Sequence, residues 1–264
     1  MALVKSDASP KGRTHYFDID LGLGDERRLT AVFFPAAFAP TDSVDAIVFL
    51  HGVRAPVVDQ LLQLQSFRLQ EETSEADPAK LANLVLVVPT LGLSCEAGAL
   101  VDRGLDWYLR EVLGSIAGAS LDLGGSSAAQ GFDKVYVAAH SGGGRPARAL
   151  AVKRSAVTEY WLFDALYAPA GYPATDKTNP ANARPLGHPD AVEDEWLHVL
   201  ETQRVTLHDY YLTHEPTRRS KNLEHLVRTR TAPLLGRATF VRSHARSHDE
   251  VPVTHWKDLV NGRG

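Results

Sequence analysis

Ser141 stands in the run Ala139-His140-Ser141-Gly142-Gly143, a setting that suits a serine to nucleophilic chemistry. A sharp strand-to-helix bend projects the hydroxyl away from the sheet, and it demands small residues two before and two after the serine. Ala139 and Gly143 meet that demand, with alanine standing where glycine is more common. The glycines after Ser141 let a second molecule approach the backbone closely. The segment beyond, with Pro146 in its first turn, reads as a helix. Its free N–H groups and dipole favour negative charge near the serine. A neutral hydroxyl is a poor nucleophile, so this serine needs a base, and the base needs a carboxylate to orient it. The plain alternative is an ordinary glycine-rich turn; the position between a buried strand and a helix weighs against it.

The elements that must hold Ser141 are legible as alternating apolar runs and helical stripes. Residues 15–20 and 29–34 read as a hairpin around a turn over 22–27. Residues 46–50 and 84–88 are continuous apolar runs, as expected for strands buried on both faces. Further strands are expected over 135–139, 160–163, 205–212 and 239–242, the third of these interrupted by His208 and Asp209. Helical spacing covers 57–69, 101–116 and 147–152, and a polar turn covers 124–127. This alternation predicts an α/β fold, a mostly parallel central sheet with helices on both faces and an N-terminal hairpin. The stretch 169–203, rich in Pro, Asn and Asp, interrupts the pattern and reads either as a cap over the C-terminal sheet edge or as a surface insertion.

Composition bounds the function classes. The 264 residues suit one α/β domain, with 44% hydrophobic and 23% charged residues, as in ordinary globular proteins. A net charge of −4 with scattered signs gives no support for nucleic acid or an anionic membrane as partner. No run is long and apolar enough to span a bilayer, and the N-terminus lacks a signal-peptide core. Cys95, the single cysteine, fits a reducing compartment, so a cytoplasmic location is expected. As a candidate nucleophile Cys95 is outweighed by its reading as a small packed residue.

With the Ala-His-Ser-Gly-Gly elbow at the end of a buried strand, the chain resembles the α/β-hydrolase superfamily over nearly its whole length. Phe49-Leu50-His51-Gly52-Val53 is similar to the His-Gly segment before that superfamily's oxyanion loop. The resemblance implies an oxyanion hole made by the backbone N–H groups of Val53 and Gly142. It also implies a histidine after the last strand, where His244, His248 and His255 are candidates. His248, in Ser247-His248-Asp249-Glu250-Val251-Pro252, is preferred, because the segment resembles the ending of some bacterial members. For the acid, Asp164 at the end of strand 160–163 is preferred. Glu215 is the alternative, one strand later, where most members carry it.

These residues predict a serine hydrolase that cleaves a carboxylic ester through an acyl-enzyme. The same machinery serves an amidase or peptidase, and the same fold serves non-catalytic binding proteins. A metal-dependent enzyme built on His244, His248 and Asp249 is disfavoured, because Pro252 and the nearby strand argue for a loop there. No metal or cofactor is expected, and the expected partner is a small ester or amide. Residues 54–60, 90–99 and 169–203 are the expected walls of its pocket, with Tyr167, Tyr172 and Trp196 as candidate aromatics.

Overall fold

The computed structural model describes residues 3–24, 29–40, 43–53, 69–121, 123, 131–167, 191–230, 234 and 236–263. The strands are β1 (Leu3–Ser9), β2 (Gly12–Asp18), β3 (Leu29–Pro35), β4 (Asp45–Leu50), β5 (Leu84–Pro89), β6 (Val135–His140), β7 (Glu159–Phe163), β8 (Thr206–Tyr211) and β9 (Ala238–Arg242). They form one nine-stranded sheet in the order β1-β2-β3-β5-β4-β6-β7-β8-β9. From β5 through β9 every neighbouring pair is parallel, while β1, β2 and β3 form an antiparallel arm that joins the edge of β5. Besides a helical stretch over 69–74, the described residues form the helices α1 (Pro78–Leu81), α2 (Ala99–Asp102), α3 (Leu105–Gly118), α4 (Gly144–Val152), α5 (Ala191–Thr202), α6 (His214–Arg230) and α7 (Val251–Gly262).

Strand periodicity divides the core into two layers. Ala46, Val48 and Leu50 of β4 and Val135, Val137 and Ala139 of β6 face a layer built with α2 to α6. Ile47, Phe49, Tyr136 and Ala138 face the opposite layer, which α1 and α7 complete with Leu81, Trp256 and Val260. Successive side chains alternate between faces, so a strand covered on both sides must be apolar throughout. That is why residues 46–50 and 84–88 read as unbroken apolar runs.

Several expectations need correction. Strand β1 was not anticipated: its sequence is polar and its side chains lie outside the core, so only backbone pairing with β2 marks it. The first expected strand begins earlier, at Gly12. The single helix expected over 101–116 is broken into α2 and α3 at Gly104, whose φ of 92° lies in the left-handed region. Of the expected helix 57–69, only residue 69 is described, and it opens a helical stretch through 74. The expected turn 124–127 and residues 169–190 lie outside the described residues. The end of the 169–203 stretch is core: α5 buries Val192, Trp196, Val199 and Leu200 and supplies the crossover between β7 and β8. Among the described residues, no helix is long and apolar enough to cross a membrane.

Candidate active site

The strand order reverses beside β4, which has β5 on one side and β6 on the other. At such a switch point the loops leaving the two strands diverge and open a crevice at their C-terminal ends. Gly52 and Val53 leave β4 at this point, and Ser141 leaves β6. Ser141 has φ 53°, a left-handed conformation that a non-glycine residue adopts only when its surroundings enforce it. A 3₁₀ turn over Ser141–Gly143 then feeds α4.

The glycines on either side of the bend are required by close packing. A Cβ on Gly143 would lie 2.1 Å from the Leu50 carbonyl oxygen, and one on Gly144 would lie 1.9 Å from that of Ala165. The start of α4 is therefore wedged between the ends of β4 and β7. Gly52 lies so near the bend that a Cβ there would sit 2.9 Å from Ser141 Cβ and 3.4 Å from its Oγ. The Val53 nitrogen is 3.5 Å from the position a Gly142 Cβ would take. The Val53 nitrogen, one of the two expected oxyanion donors, thus lies close to Gly142, which carries the other.

His51 fixes the first of these turns. Its Nε2 accepts the Leu91 N–H at 2.9 Å, so that nitrogen is bare and the proton is on Nδ1. Nδ1–H then donates to the Gly52 carbonyl at 2.9 Å. Cys95 lies behind the same turn, its Sγ 2.7 Å from a Gly142 Cβ position, and burial pushes its thiol up to about 12. A thiol so raised is no nucleophile at neutral pH.

Asp164 follows β7 with φ 50° and is fully buried. Its Oδ2 lies 2.6 Å from His248 Nδ1. A carboxylate only accepts, so the ring nitrogen that meets it, Nδ1, is the donor of this contact. Because Phe163 pairs with Tyr210, Asp164 reaches the turn just past β8. There its oxygens accept the backbone N–H of Leu212 at 2.8 Å, that of Thr213 at 3.0 Å, and the Thr213 hydroxyl at 2.7 Å. Burial alone would raise the Asp164 pKa, but His248 and these donors outweigh it and hold the carboxyl below its ordinary value. His248 opens a 3₁₀ turn after β9, immediately before α7, and its side chain is 28% exposed. Tyr167 packs edge-on against the His248 ring at 6.4 Å and brings its hydroxyl within 3.3 Å of Thr213 Oγ1.

The structure does not bring the other candidates to this cluster. Glu215 lies in the first turn of α6 and pairs with Arg219 at 3.2 Å. His255 lies in α7, bonded to Ser243 Oγ at 2.9 Å and stacked on Tyr210, with His244 against its edge. Among the described residues, the group of possible metal ligands around His248 does not include His244. Trp196 is a core residue, set edge-on against Tyr160. Tyr172 and residues 54–60 lie outside the described residues. Donor atoms of His140, His248 and Asp249 lie within 4.8 Å of one another. Two of these three residues are already engaged there, His248 through Nδ1 with Asp164 and His140 through Nε2 with the His248 carbonyl. A groove of about 610 Å³ lined by Arg13, His15, Phe34 and Phe38 lies elsewhere. It opens where β3 ends, and β3 runs against β5, so it faces the end of the sheet opposite Ser141.

Two residues of this cluster went unread in the sequence, Thr213 and His140. Nothing local marks Thr213, whose meeting with Asp164 depends on strand register. His140 was visible inside the serine motif, as a polar residue closing an apolar strand.

No family model matches the sequence, and no curated protein sequence does. Solved structures are similar across the whole chain. An S-formylglutathione hydrolase from Agrobacterium tumefaciens aligns over 100% of this chain and 99% of its own, with TM-score 0.58 and 13% identity. The feruloyl esterase module from Clostridium thermocellum, solved with sinapinate, aligns over 97% and 89%, with TM-score 0.60 and 13% identity. Esterase B from Lactobacillus rhamnosis aligns over 97% and 84%, with TM-score 0.55 and 12% identity. At these identities the likeness is one of architecture, and it agrees with the reversed strand order and the serine bend: the chain has the α/β-hydrolase fold.

Proposed function

We propose that the protein is a serine hydrolase that cleaves a small carboxylic ester through an acyl-enzyme. The observation that carries this reading is the 2.6 Å contact between His248 Nδ1 and the buried Asp164 carboxylate, beside a serine held at φ 53°. Ser141 Oγ attacks the ester carbonyl while His248 Nε2 takes its proton. Asp164 stabilises the imidazolium that results. The N–H groups of Val53 and Gly142 receive the oxyanion, a contribution of about 3 kcal/mol per donor. His248 then gives its proton to the departing alcohol, which leaves the acyl group on Ser141. Water, deprotonated by the same nitrogen, attacks the acyl-enzyme and releases the acid.

Ester rather than amide cleavage is favoured by the hydrolases of similar architecture, which are named for ester and thioester substrates. The test is Ser141→Ala assayed against a panel of activated aryl esters and amides. Turnover of the esters is expected to fall by about 10⁴-fold or more with the thermal transition retained. A variant as active as the parent overturns the reading, and preference for amides across the panel replaces it with an amidase. A fluorophosphonate probe separates catalysis from binding alone, since an unactivated serine stays unlabelled.

A further inference from the structure

β6 alternates strictly between the two core layers, with Tyr136 and Ala138 on the face that α7 covers. His140 continues that row, so its ring enters the layer where the His248 turn leads into α7. It is 2% exposed. Its Nε2 lies 3.1 Å from the backbone carbonyl of His248, and the two imidazoles are tilted by 37° with centroids 4.5 Å apart. A carbonyl only accepts, so Nε2 carries the proton. On its other side, His140 Nδ1 lies 3.4 Å from where a side chain on Gly52 would begin. One ring thus touches the turn of the base, the turn of the oxyanion donors and, through its own backbone, the nucleophile.

We propose that His140 is a positioning residue for the triad: the Nε2–H it donates to the His248 carbonyl fixes the turn of the general base to the strand of the nucleophile. This inference rests on the serine-hydrolase reading. The ring suits the task because it stays neutral; burial first, and then the neighbouring His248, push its pKa down to about 4. A second cation there would oppose the imidazolium that forms on His248 during attack. The carbonyl of residue 248 is a backbone group, so the contact constrains where the base sits without using either of its ring nitrogens. A small displacement of a base from its near-attack position costs rate rather than binding.

The test compares His140→Gln, His140→Asn and His140→Leu on an activated aryl ester. The Gln amide reaches about as far as Nε2 and restores the donor, the shorter Asn amide does not, and Leu removes it at similar volume. For Leu and Asn, kcat is expected to fall by about 10- to 100-fold with KM within about twofold, while Gln stays within about threefold of the parent. The downfield proton signal of the His248–Asp164 hydrogen bond is expected to persist in Gln and to broaden in Asn and Leu. If Leu does not fold, the ratio of Gln to Asn decides. Equal kcat for Gln and Asn overturns the inference. Turnover that survives Ser141→Ala overturns the hydrolase reading and this inference with it. Turnover that needs Ser141 but is indifferent to His140 overturns this inference alone.

Discussion

Asp164 has no exposed surface and accepts from His248, Thr213 and two backbone N–H groups, so its ionised form is held by fixed donors rather than by water. A group whose folded pKa is depressed adds stability above its unfolded value, near 3.8, and that stability is lost as pH falls through the folded pKa. Thr213→Val removes one donor and leaves the backbone N–H contacts in place. The depression then shrinks, so acid unfolding followed by circular dichroism is expected to begin at higher pH than in the parent. Near neutral pH the variant is expected to lose about 1–2 kcal/mol, shrinking as the carboxylate is protonated. An acid transition that does not move would show that the Thr213 hydroxyl leaves the Asp164 carboxylate unperturbed. Ser141 and the His-Asp pair were legible in the sequence because they close apolar strands or follow the last one. The partners of Thr213 and His140 were not, because Asp164 and the His248 carbonyl lie far along the chain, and no pattern in the sequence shows which turns the folded sheet brings together.

Among the elements, the buried strands and their helices were read from apolar periodicity, and the errors fall where periodicity is silent. β1 carries no apolar alternation because it is a sheet edge whose side chains are mostly exposed. α2 and α3 share one apolar stripe, so only the φ of Gly104 separates them. α5 was hidden by the Pro-rich residues before it, although Val192, Trp196, Val199 and Leu200 follow helical spacing. The closest element contact tested by a single atom is that of α4 with the end of β7. Gly144→Ala sets a methyl group 1.9 Å from the Ala165 carbonyl oxygen, beside Asp164, where backbone rather than a flexible side chain must yield. It is expected to cost about 1–3 kcal/mol in urea unfolding and to lower kcat as Asp164 shifts. Gly114→Ala, in α3 with open space around its Cβ position, is the control. It is expected to raise stability by about 0.5–1 kcal/mol, so a Gly144→Ala variant that behaves alike would refute the wedge.

On the scale of the whole molecule, the sheet also carries a buried acid, Asp209, whose ionisation opposes folding. Asp209 of β8 points to the α6 side, fully buried, and neither of its oxygens nor the hydroxyls of Thr217 and Ser220 makes a well-formed hydrogen bond among the described residues. Burial pushes its pKa up to about 7; Ser220 lies near enough to ease the shift, and the carboxylates of Asp164 and Glu224 reinforce it. Here the folded pKa is raised, the reverse of Asp164. The native state therefore holds a proton that the unfolded chain releases between 3.8 and about 7. Stability from this group is complete below the lower value and is lost as pH rises through the upper one. Asp209→Asn keeps the shape and removes the titration. Between about pH 5 and about pH 8 the parent is expected to lose on the order of 2 kcal/mol relative to the variant in urea unfolding. The two curves are expected to converge as pH falls. Parallel pH dependence of the two proteins would mean that Asp209 is ionised in the fold, and that water or a cation within the α6 layer compensates its charge.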